Sequence, residues 1–202
     1  TDRADRTDRS ERADRISRLL RSLSRQTLPP TDFEVVVYDD GSRDDSVATI
    51  RQLIPELGYP LRLIEGSANR GPAAGRNEAW RAASAPVVAF TDDDCVPDAD
   101  WLRVGLQAFD DPAVDVVVGR VEPAPDQLGD LGPFSRTLRV SDARFFATAN
   151  CFYRRSALEA ADGFDEQFRR AAGEDTDLGL RVLGEHGRAH FAISALVHHD
   201  VR

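Results

Sequence analysis

A short apolar run that ends in three carboxylates constrains the fold of this chain most. Val87–Phe90 has the β-branched and aromatic composition of a buried strand, and Asp92, Asp93 and Asp94 follow it almost directly. Carboxylates this close repel one another, so at pH 7 they need a cation or a proton. Because ligands of open α/β sheets bind beyond the carboxyl ends of strands, the pattern predicts a site for Mg²⁺ or Mn²⁺. The alternative is a solvated acidic turn that caps a helix starting near Asp98.

Length and charge limit the classes of protein to consider. A chain of 202 residues is long enough to form one domain with a substantial core. Its net charge of −9 argues against nucleic acid as a partner, because nucleic-acid binding needs a basic face. We find no apolar stretch long enough to span a membrane and no signal peptide. Cys95 and Cys151 are too far apart for a zinc half-site and suggest reduced thiols. The expected location is therefore cytoplasmic. The alternative is peripheral association with the inner face of the membrane.

Hydrophobic periodicity predicts strands that alternate with helices over the first 110 residues. This alternation is typical of a parallel, three-layer α/β sheet. The second half is less regular and is expected to form a lid and an acceptor side. We predict strands at 33–38, 61–64, 87–90, 114–121, 147–153 and 190–198, with helices at 16–26, 45–57, 73–83, 101–109, 156–161 and 174–184. Residues 1–15 are mostly Asp and Arg and form either a disordered arm or a solvated extension of the next helix. Residues 16–202 are expected to form a single domain.

Five motifs, in this order, resemble those of family-two glycosyltransferases with the GT-A fold. The resemblance covers about residues 13–202 and implies a three-layer α/β/α sandwich with a mostly parallel central sheet. The motifs are Glu34-Val-Val-Val-Tyr-Asp-Asp-Gly-Ser, Asn69-Arg-Gly-Pro-Ala-Ala-Gly-Arg-Asn, Phe90-Thr-Asp-Asp-Asp-Cys, Asn150-Cys-Phe-Tyr-Arg-Arg-Ser and Gly173-Glu-Asp-Thr-Asp-Leu.

The first two motifs suggest how a nucleotide sugar would be held. Asp39 and Asp40 lie in a turn at the carboxyl end of a strand, and the resemblance implies that Asp40 accepts a hydrogen bond from the base, usually uracil. A turn aspartate that bonds its own backbone is the simpler alternative. Arg76 lies on a helix after two glycines, where backbone amides and a cation could meet a diphosphate. A surface arginine without a ligand is the alternative there. The expected donor is a nucleoside-diphosphate sugar, with a UDP-sugar as the favoured type.

The acidic turn and the last strand together suggest a metal site. The family pattern selects Asp92 for the ribose and the metal site, Asp94 as a metal ligand, and His199 to complete the metal shell. Asp93 is the spacer between them. A bound Mn²⁺ or Mg²⁺ would neutralise charge on the departing nucleoside diphosphate.

The fifth motif suggests the catalytic base. Asp175 opens a helix, where an acidic residue usually serves as a cap. The resemblance instead implies that Asp175 takes the proton from an acceptor hydroxyl, with Glu174 as the fallback. The implied reaction is metal-dependent, inverting transfer of a sugar to an unknown acceptor, which could be a glycan, a lipid carrier or a small molecule. The alternatives are a nucleotidyltransferase or sugar-phosphate pyrophosphorylase, and a non-catalytic module that binds a nucleotide sugar.

One departure from the family pattern bears on nucleotide binding. Family members begin with an apolar strand that ends in a Pro-Thr-Tyr-Asn-like turn, and this turn cradles the nucleoside. The Asp-Arg run stands where that strand is expected, and Ala13 follows it. We therefore expect donor binding by this chain to be weaker than that of a chain with the strand.

Overall fold

A computed structural model describes residues 2–133 and 135–201, with side chains described for 11–129, 131–133 and 135–201. It contains α-helices and β-strands joined by loops and short 3₁₀ turns. The helices are α1 (Asp2–Leu23), α2 (Ser46–Leu53), α3 (Pro72–Ala82), α4 (Trp101–Gln107), α5 (Arg155–Ala160) and α6 (Glu174–Leu183). The strands are β1 (Val35–Asp39), β2 (Leu61–Glu65), β3 (Val87–Phe90), β4 (Cys95–Pro97), β5 (Val116–Pro123), β6 (Cys151–Arg154) and β7 (Ala189–His199).

Helix α1 includes the Asp-Arg run, which therefore extends the predicted helix towards its amino end. Ile16, Leu19, Leu20 and Leu23 recur at helical spacing and are buried, as the periodicity predicts. This apolar stripe packs on α2 and β4. The hydroxyl of Tyr59 donates to the carbonyl of Leu20, at 2.9 Å, and fixes the helix against the loop before β2. No helix in the described part of the chain is both long and apolar enough to cross a membrane.

The strands form two sheets that share no strand. β1 and β2 pair in parallel, with Val35 opposite Leu61, as the strand–helix–strand pattern predicts. The other five strands lie in the order β3-β6-β5-β7-β4. In this sheet only β5 and β7 are parallel to each other, and the remaining three pairings are antiparallel.

The second sheet therefore differs from the mostly parallel sheet that we expected. A parallel pairing needs a crossover connection, usually a helix. β4 instead follows β3 after a tight turn, and β6 follows a long loop with 3₁₀ turns rather than a crossover helix. Both strands consequently run against their neighbours. The α/β class holds, with helices packed on a curled central sheet.

The core lies around β5 and β6. Val116, Val117 and Val118 are fully buried, as are Phe152 and Tyr153 on the neighbouring strand. In contrast, every residue of β1 is only partly buried. The ends of β1, β3 and β7 and the start of α6 carry most of the acidic and histidine residues that the sequence selected, and these ends surround the candidate site.

Candidate functional site

Arg76 joins two acidic residues that lie far apart in the sequence. Its Nη1 donates to Oε1 of Glu174 at 2.7 Å, and its Nη2 donates to Oδ1 of Asp92 at 3.0 Å. The Arg76 side chain is 19% exposed and that of Glu174 is 3% exposed. A carboxylate this deeply buried needs a partner charge, which Arg76 supplies. The guanidinium thus links the acidic turn after β3 to the beginning of α6.

These three residues line a cavity of about 190 Å³. Its remaining walls are mostly small and apolar and come from two loops, the one before β6 and the one before α6. The lining residues are Arg76, Asp92, Leu138, Ala147, Thr148, Ala149, Ala171, Ala172, Gly173, Glu174 and Asp175. A small, partly polar cavity with several carboxylates fits a sugar-sized group better than a large apolar ligand.

Asp175 is the half-buried acid of this cavity. It is the second residue of α6, where a negative charge is favourable next to the amino end of the helix. Its Oδ1 accepts hydrogen bonds from the Thr176 amide at 2.7 Å and the Thr176 hydroxyl at 3.4 Å. Among the described residues no group donates to its Oδ2. That oxygen is available to a hydroxyl that enters the cavity.

Glu174 is held more tightly than Asp175. One oxygen accepts from Arg76, and the other accepts from the amide of Ala172 at 2.8 Å. Both oxygens therefore have partners inside the protein. This arrangement fixes the loop before α6 and leaves Asp175 as the more accessible acid.

The charge state of Asp92 reflects its surroundings. Loss of water around the carboxylate raises the pKa of Asp92, Arg76 acts in the opposite direction, and the neighbouring Asp94 and Asp93 raise the pKa again. The net effect is a raised pKa. A second cation near this turn would favour the ionised form.

Asp94 and His199 approach each other at the ends of β3 and β7. Oδ2 of Asp94 lies 3.6 Å from Nε2 of His199, and the two side chains are 8% and 16% exposed. Nδ1 of His199 lies 2.7 Å from the carbonyl oxygen of Asp200. Because a carbonyl only accepts, Nδ1 carries the proton, and a neutral ring then presents the Nε2 lone pair towards Asp94. This geometry suits a metal ligand with an oriented ring.

A complete protein cage for a metal is absent from the described part of the chain. No group of three or more His, Cys, Asp or Glu residues is placed there to hold an ion. Asp92 instead contacts Arg76, so the structure brings Asp94 and His199 together without Asp92 as a third ligand. The donor set still fits Mg²⁺ or Mn²⁺, because such ions keep several waters and often bind through one or two side chains plus substrate phosphates.

The two aspartates of the first turn make backbone contacts. Asp39 accepts from the Ser42 amide at 3.0 Å. Both oxygens of Asp40 accept from the two residues just before α3, one from the Arg70 amide and one from the Gly71 amide, each at 2.8 Å. Asp40 thus ties the end of β1 to the start of α3. Each carboxylate oxygen keeps a second lone pair that a base could use.

A family comparison decides the class of the protein. A model of the family described as glycosyl transferase family 2 matches residues 10–162. The chain belongs to glycosyl transferase family 2. This membership confirms the family that the five motifs suggested.

The chain matches only part of the length of a curated relative. The pre-mycofactocin glycosyltransferase of Mycobacterium tuberculosis (strain ATCC 25618 / H37Rv) is 32% identical over 187 residues. The matched part covers 83% of this chain and 37% of that protein. The family-two chain described here therefore spans less than half the length of this relative.

Solved structures of other glycosyltransferases share the fold. TarS 1–349 of S. aureus in complex with UDP-GlcNAc superposes with a TM-score of 0.75 at 23% identity, covering 93% of this chain and 55% of TarS 1–349. The mannosyltransferase PcManGT from Pyrobaculum calidifontis, in complex with GDP-Man and Mn²⁺, gives 0.73 at 24%, covering 92% and 52%. At these identities the likeness shows the fold alone, and it confirms the predicted GT-A type.

The family-two motifs did not reveal every residue that shapes the site. Asn77, the last residue of the second motif, is buried and bonds both the amide and the carbonyl of Phe164. Asp200 is buried and contacts Arg18 at 2.5 Å. Asp93 pairs with Arg12 of α1 at 2.8 Å. Each contact joins segments more than 80 residues apart, and the sequence holds no local signal for such pairs.

Proposed function

We propose that this family-two enzyme transfers a sugar from a nucleoside-diphosphate sugar to an acceptor hydroxyl, with inversion and with the help of a divalent metal. One observation carries the proposal. Asp92, from the turn after β3, and Asp175, from the start of α6, line the same small cavity. A donor sugar held at the turn would thus lie next to the acid that can activate an acceptor.

Asp175 is the base in this proposal. Single displacement at the anomeric carbon requires a base that takes the proton from the attacking hydroxyl. Asp175 is half-buried, lines the cavity and has one oxygen free of donors among the described groups. Glu174, the fallback, uses both oxygens for Arg76 and Ala172, so its role is to hold Arg76 and the loop.

Asp94 and His199 would hold Mn²⁺ or Mg²⁺, and Asp92 would face the ribose. When bound, the ion would neutralise charge on the leaving diphosphate. The short distance from Asp94 to His199 and the orientation of the imidazole support this assignment. PcManGT, which shares the fold, was solved with Mn²⁺.

The donor would lie along the ends of β1 and β3. Asp39 and Asp40 are half-buried at the end of β1, where a base could reach the unused lone pairs of either carboxylate. A UDP-sugar remains the favoured donor. Structures with this fold hold UDP-GlcNAc in TarS and GDP-Man in PcManGT, so uridine and guanosine donors both belong in the test.

In this proposal Arg76 orients Asp92 and is not the diphosphate ligand that the sequence suggested. Its two terminal nitrogens already contact Asp92 and Glu174, and its side chain is mostly buried. In the proposed reaction Arg76 would keep Asp92 ionised and oriented towards the donor. A phosphate could contact the guanidinium only along the edge that these two carboxylates leave open.

A two-stage experiment tests the proposal. Thermal shifts with UDP, GDP and their sugars, with and without Mn²⁺, should identify a donor, because a ligand that binds only the native state raises the melting temperature. Transfer to a panel of acceptors should then give a product whose anomeric configuration is opposite to that of the donor, read by NMR coupling constants. Retained configuration would contradict inversion, and equal shifts with and without Mn²⁺ would contradict metal dependence. A cytoplasmic location, expected from the two buried free thiols, stays a prediction.

A further inference from the structure

Arginines without ion pairs lie in the two chain segments that also line the cavity beside Asp175. Most arginines with described side chains contact a carboxylate within 4 Å. Arg136, Arg139, Arg169 and Arg170 make no ion pair or hydrogen bond with the described residues, and all four are exposed. Three other arginines with described side chains, Arg15, Arg25 and Arg43, also lack such contacts, but none of them lies in a chain segment that lines the cavity.

Each of these arginines lies close in sequence to residues that line the cavity. Arg136 and Arg139 flank Leu138, which lines one wall. Arg169 and Arg170 directly precede Ala171, Ala172 and Gly173, which line another wall and lead into Asp175. We name these four residues the rim arginines. They lie on both segments that border the proposed base, rather than at the ends of β1 and β7, where the donor and the metal are proposed to bind.

Both segments are fixed by contacts to the rest of the fold. Val140, next to Arg139, is buried and exchanges two backbone hydrogen bonds of 3.1 Å with Val121 of β5. On the other side, Asn77 holds Phe164, and the carbonyl of Arg169 lies so close to Gly71 that a Cβ there would come within 2.7 Å. The backbone of each rim segment is therefore held in place while the guanidiniums stay in solvent.

We infer that the rim arginines recognise an acceptor that carries a phosphate ester close to the hydroxyl that receives the sugar. This inference rests on the proposed function and names its acceptor class. Guanidinium groups bind phosphate oxygens in a bidentate way and remain charged at any working pH. Positive charge at the rim would also draw an anionic acceptor towards a cavity whose own carboxylates repel it. The phosphate could belong to a soluble sugar or polyol phosphate, or to a lipid headgroup.

Binding of phosphate esters without donor tests the inference independently of catalysis. Glucose 6-phosphate and glucose are titrated in EDTA, without nucleotide, and amide shifts around Gly173 are followed by NMR. Only the phosphate ester should bind, and the double variants R136Q/R139Q and R169Q/R170Q should each weaken it about tenfold or more, the usual range for bonds to charged groups. The matched control R25Q/R43Q removes the same charge from two exposed arginines that also lack ion pairs and lie outside the cavity lining, and it should change the affinity less than twofold.

Vesicles separate the two sources of phosphate. Sedimentation with phosphatidylglycerol vesicles, compared with phosphatidylcholine vesicles, shows whether a lipid phosphate is bound, and the soluble ester shows the other source. Thermal melts of all variants establish that they fold. Equal weakening in the control variant would mean a net-charge effect and would overturn the inference, as would the absence of binding to either phosphate.

Two further measurements test whether the rim arginines bind the acceptor or the donor. If the rim double variants weaken UDP binding in Mn²⁺ as strongly as they weaken the phosphate ester, the arginines serve the donor and the inference is wrong. With an identified donor, phosphorylated acceptors should have at least a tenfold higher kcat/KM than their unphosphorylated counterparts, and the rim variants should remove this preference. Absence of any transfer or donor binding would count against the proposed function, while the EDTA titration would still decide the anion site.

Discussion

Asp175 and Glu174 are adjacent acids with different surroundings. Asp175 faces the cavity, whereas Glu174 is buried and bonded to Arg76 and Ala172. We expect Asp175→Asn to keep donor binding and stability while transfer falls about 10²-fold or more, as is typical for loss of a general base. Glu174→Gln should instead lower stability, because Arg76 loses a buried partner. Single-turnover transfer and urea unfolding of both variants distinguish the roles, and unchanged turnover in Asp175→Asn would move the base elsewhere.

Asp94 gives a prediction that does not depend on the acceptor. Its carboxylate is almost fully buried, next to His199. We expect Asp94→Ala to fold and to lose the stabilisation that a nucleoside diphosphate gives in Mn²⁺, because the ion loses one of its two protein ligands. Melting temperatures with UDP, with Mn²⁺ and with both provide the measurement. A variant that still responds to Mn²⁺ as the parent does would show that Asp94 is not a ligand.

Glu166, which contacts Arg70 and Asn77, provides a pH-dependent prediction. A hydrogen bond from Asn77 lowers the pKa of Glu166, burial raises it, and Arg70 and Arg81 lower it further. The net pKa is lowered in the folded state, so the contribution to stability is present above the unfolded value of about 4.3 and is lost as the pH falls through the folded value. Glu166→Gln should therefore be less stable than the parent at pH 7, and the difference should shrink on acidification. Urea midpoints between pH 7 and pH 3 test this, and a difference that grows on acidification would contradict it.

The residues of the site were predictable to different extents. The acidic turn, the start of α6 and the last strand were recognisable, because each is a local pattern of strand, turn or helix start. The pairing of Arg76 with Glu174, 98 residues later, was not. The backbone bonds of Asp40 to the two residues just before α3 were equally hidden, because they depend on how β1 and α3 meet. Local chemistry indicates which residues could act, and tertiary packing decides which atoms remain available.

At the scale of elements, the contact between α6 and the loop before β6 positions one wall of the cavity. The ring of Phe146 lies over Gly179, where a Cβ would come within 2.2 Å of the ring. Ala147, Thr148 and Ala149 follow directly and line the cavity. Only a residue without a side chain allows this close approach of helix and ring.

We expect Gly179→Ala to displace Phe146 and the wall that follows it. Overpacking of this kind costs about 1–3 kcal/mol. The matched control is Gly129→Ala, since a Cβ at that position meets nothing within 4 Å. Urea unfolding measures the stability of both variants, and transfer assays should show a raised KM for the acceptor in Gly179→Ala alone. Equal behaviour of the two variants would mean that the Phe146 contact does not position the wall.

The elements themselves were predicted best where strands and helices alternate. β1, α2 and β2 follow a strand–helix–strand pattern, and the two strands pair in parallel as expected. β4 was not predicted, because three residues carry too little pattern, and β6 begins later than the predicted strand, after a 3₁₀ turn. The direction of β6 depends on its two neighbours, β3 and β5, and no local pattern encodes that.

At the scale of the whole molecule, α1 is tied to the candidate site. Arg12 contacts Asp93, and Arg18 contacts Asp200, which follows His199. These two ion pairs hold α1 against the acidic turn and against the end of β7. A change at the beginning of the chain should alter donor binding, although none of the α1 residues with described side chains lines the cavity.

Both sheets contain strands with an unpaired edge in the described part of the chain. β1 pairs with β2 alone, and β3 pairs with β6 alone. Each strand thus keeps one edge without a strand partner, and the valines of β1 stay partly exposed. Unpaired backbone groups cost roughly 1–3 kcal/mol each when buried, and open edges favour aggregation. The family motifs place an apolar strand before Ala13, and the Asp-Arg helix does not replace it.

We therefore expect stronger donor binding when residues 1–12 are exchanged for an apolar strand that ends in a Pro-Thr-Tyr-Asn-like turn. The added strand would pair with an open edge, cover β1 and bring the turn to the nucleoside. Calorimetric titration with a nucleoside diphosphate and Mn²⁺ compares this variant with the parent and with a control that carries a Gly/Ser segment of equal length. The control separates the strand from the loss of the Arg12–Asp93 pair, because both variants lack that pair. Tighter binding by the strand variant alone would support the prediction. Equal affinities in all three proteins would mean that the strand is dispensable for the donor, or that its assigned place in the sheet is wrong.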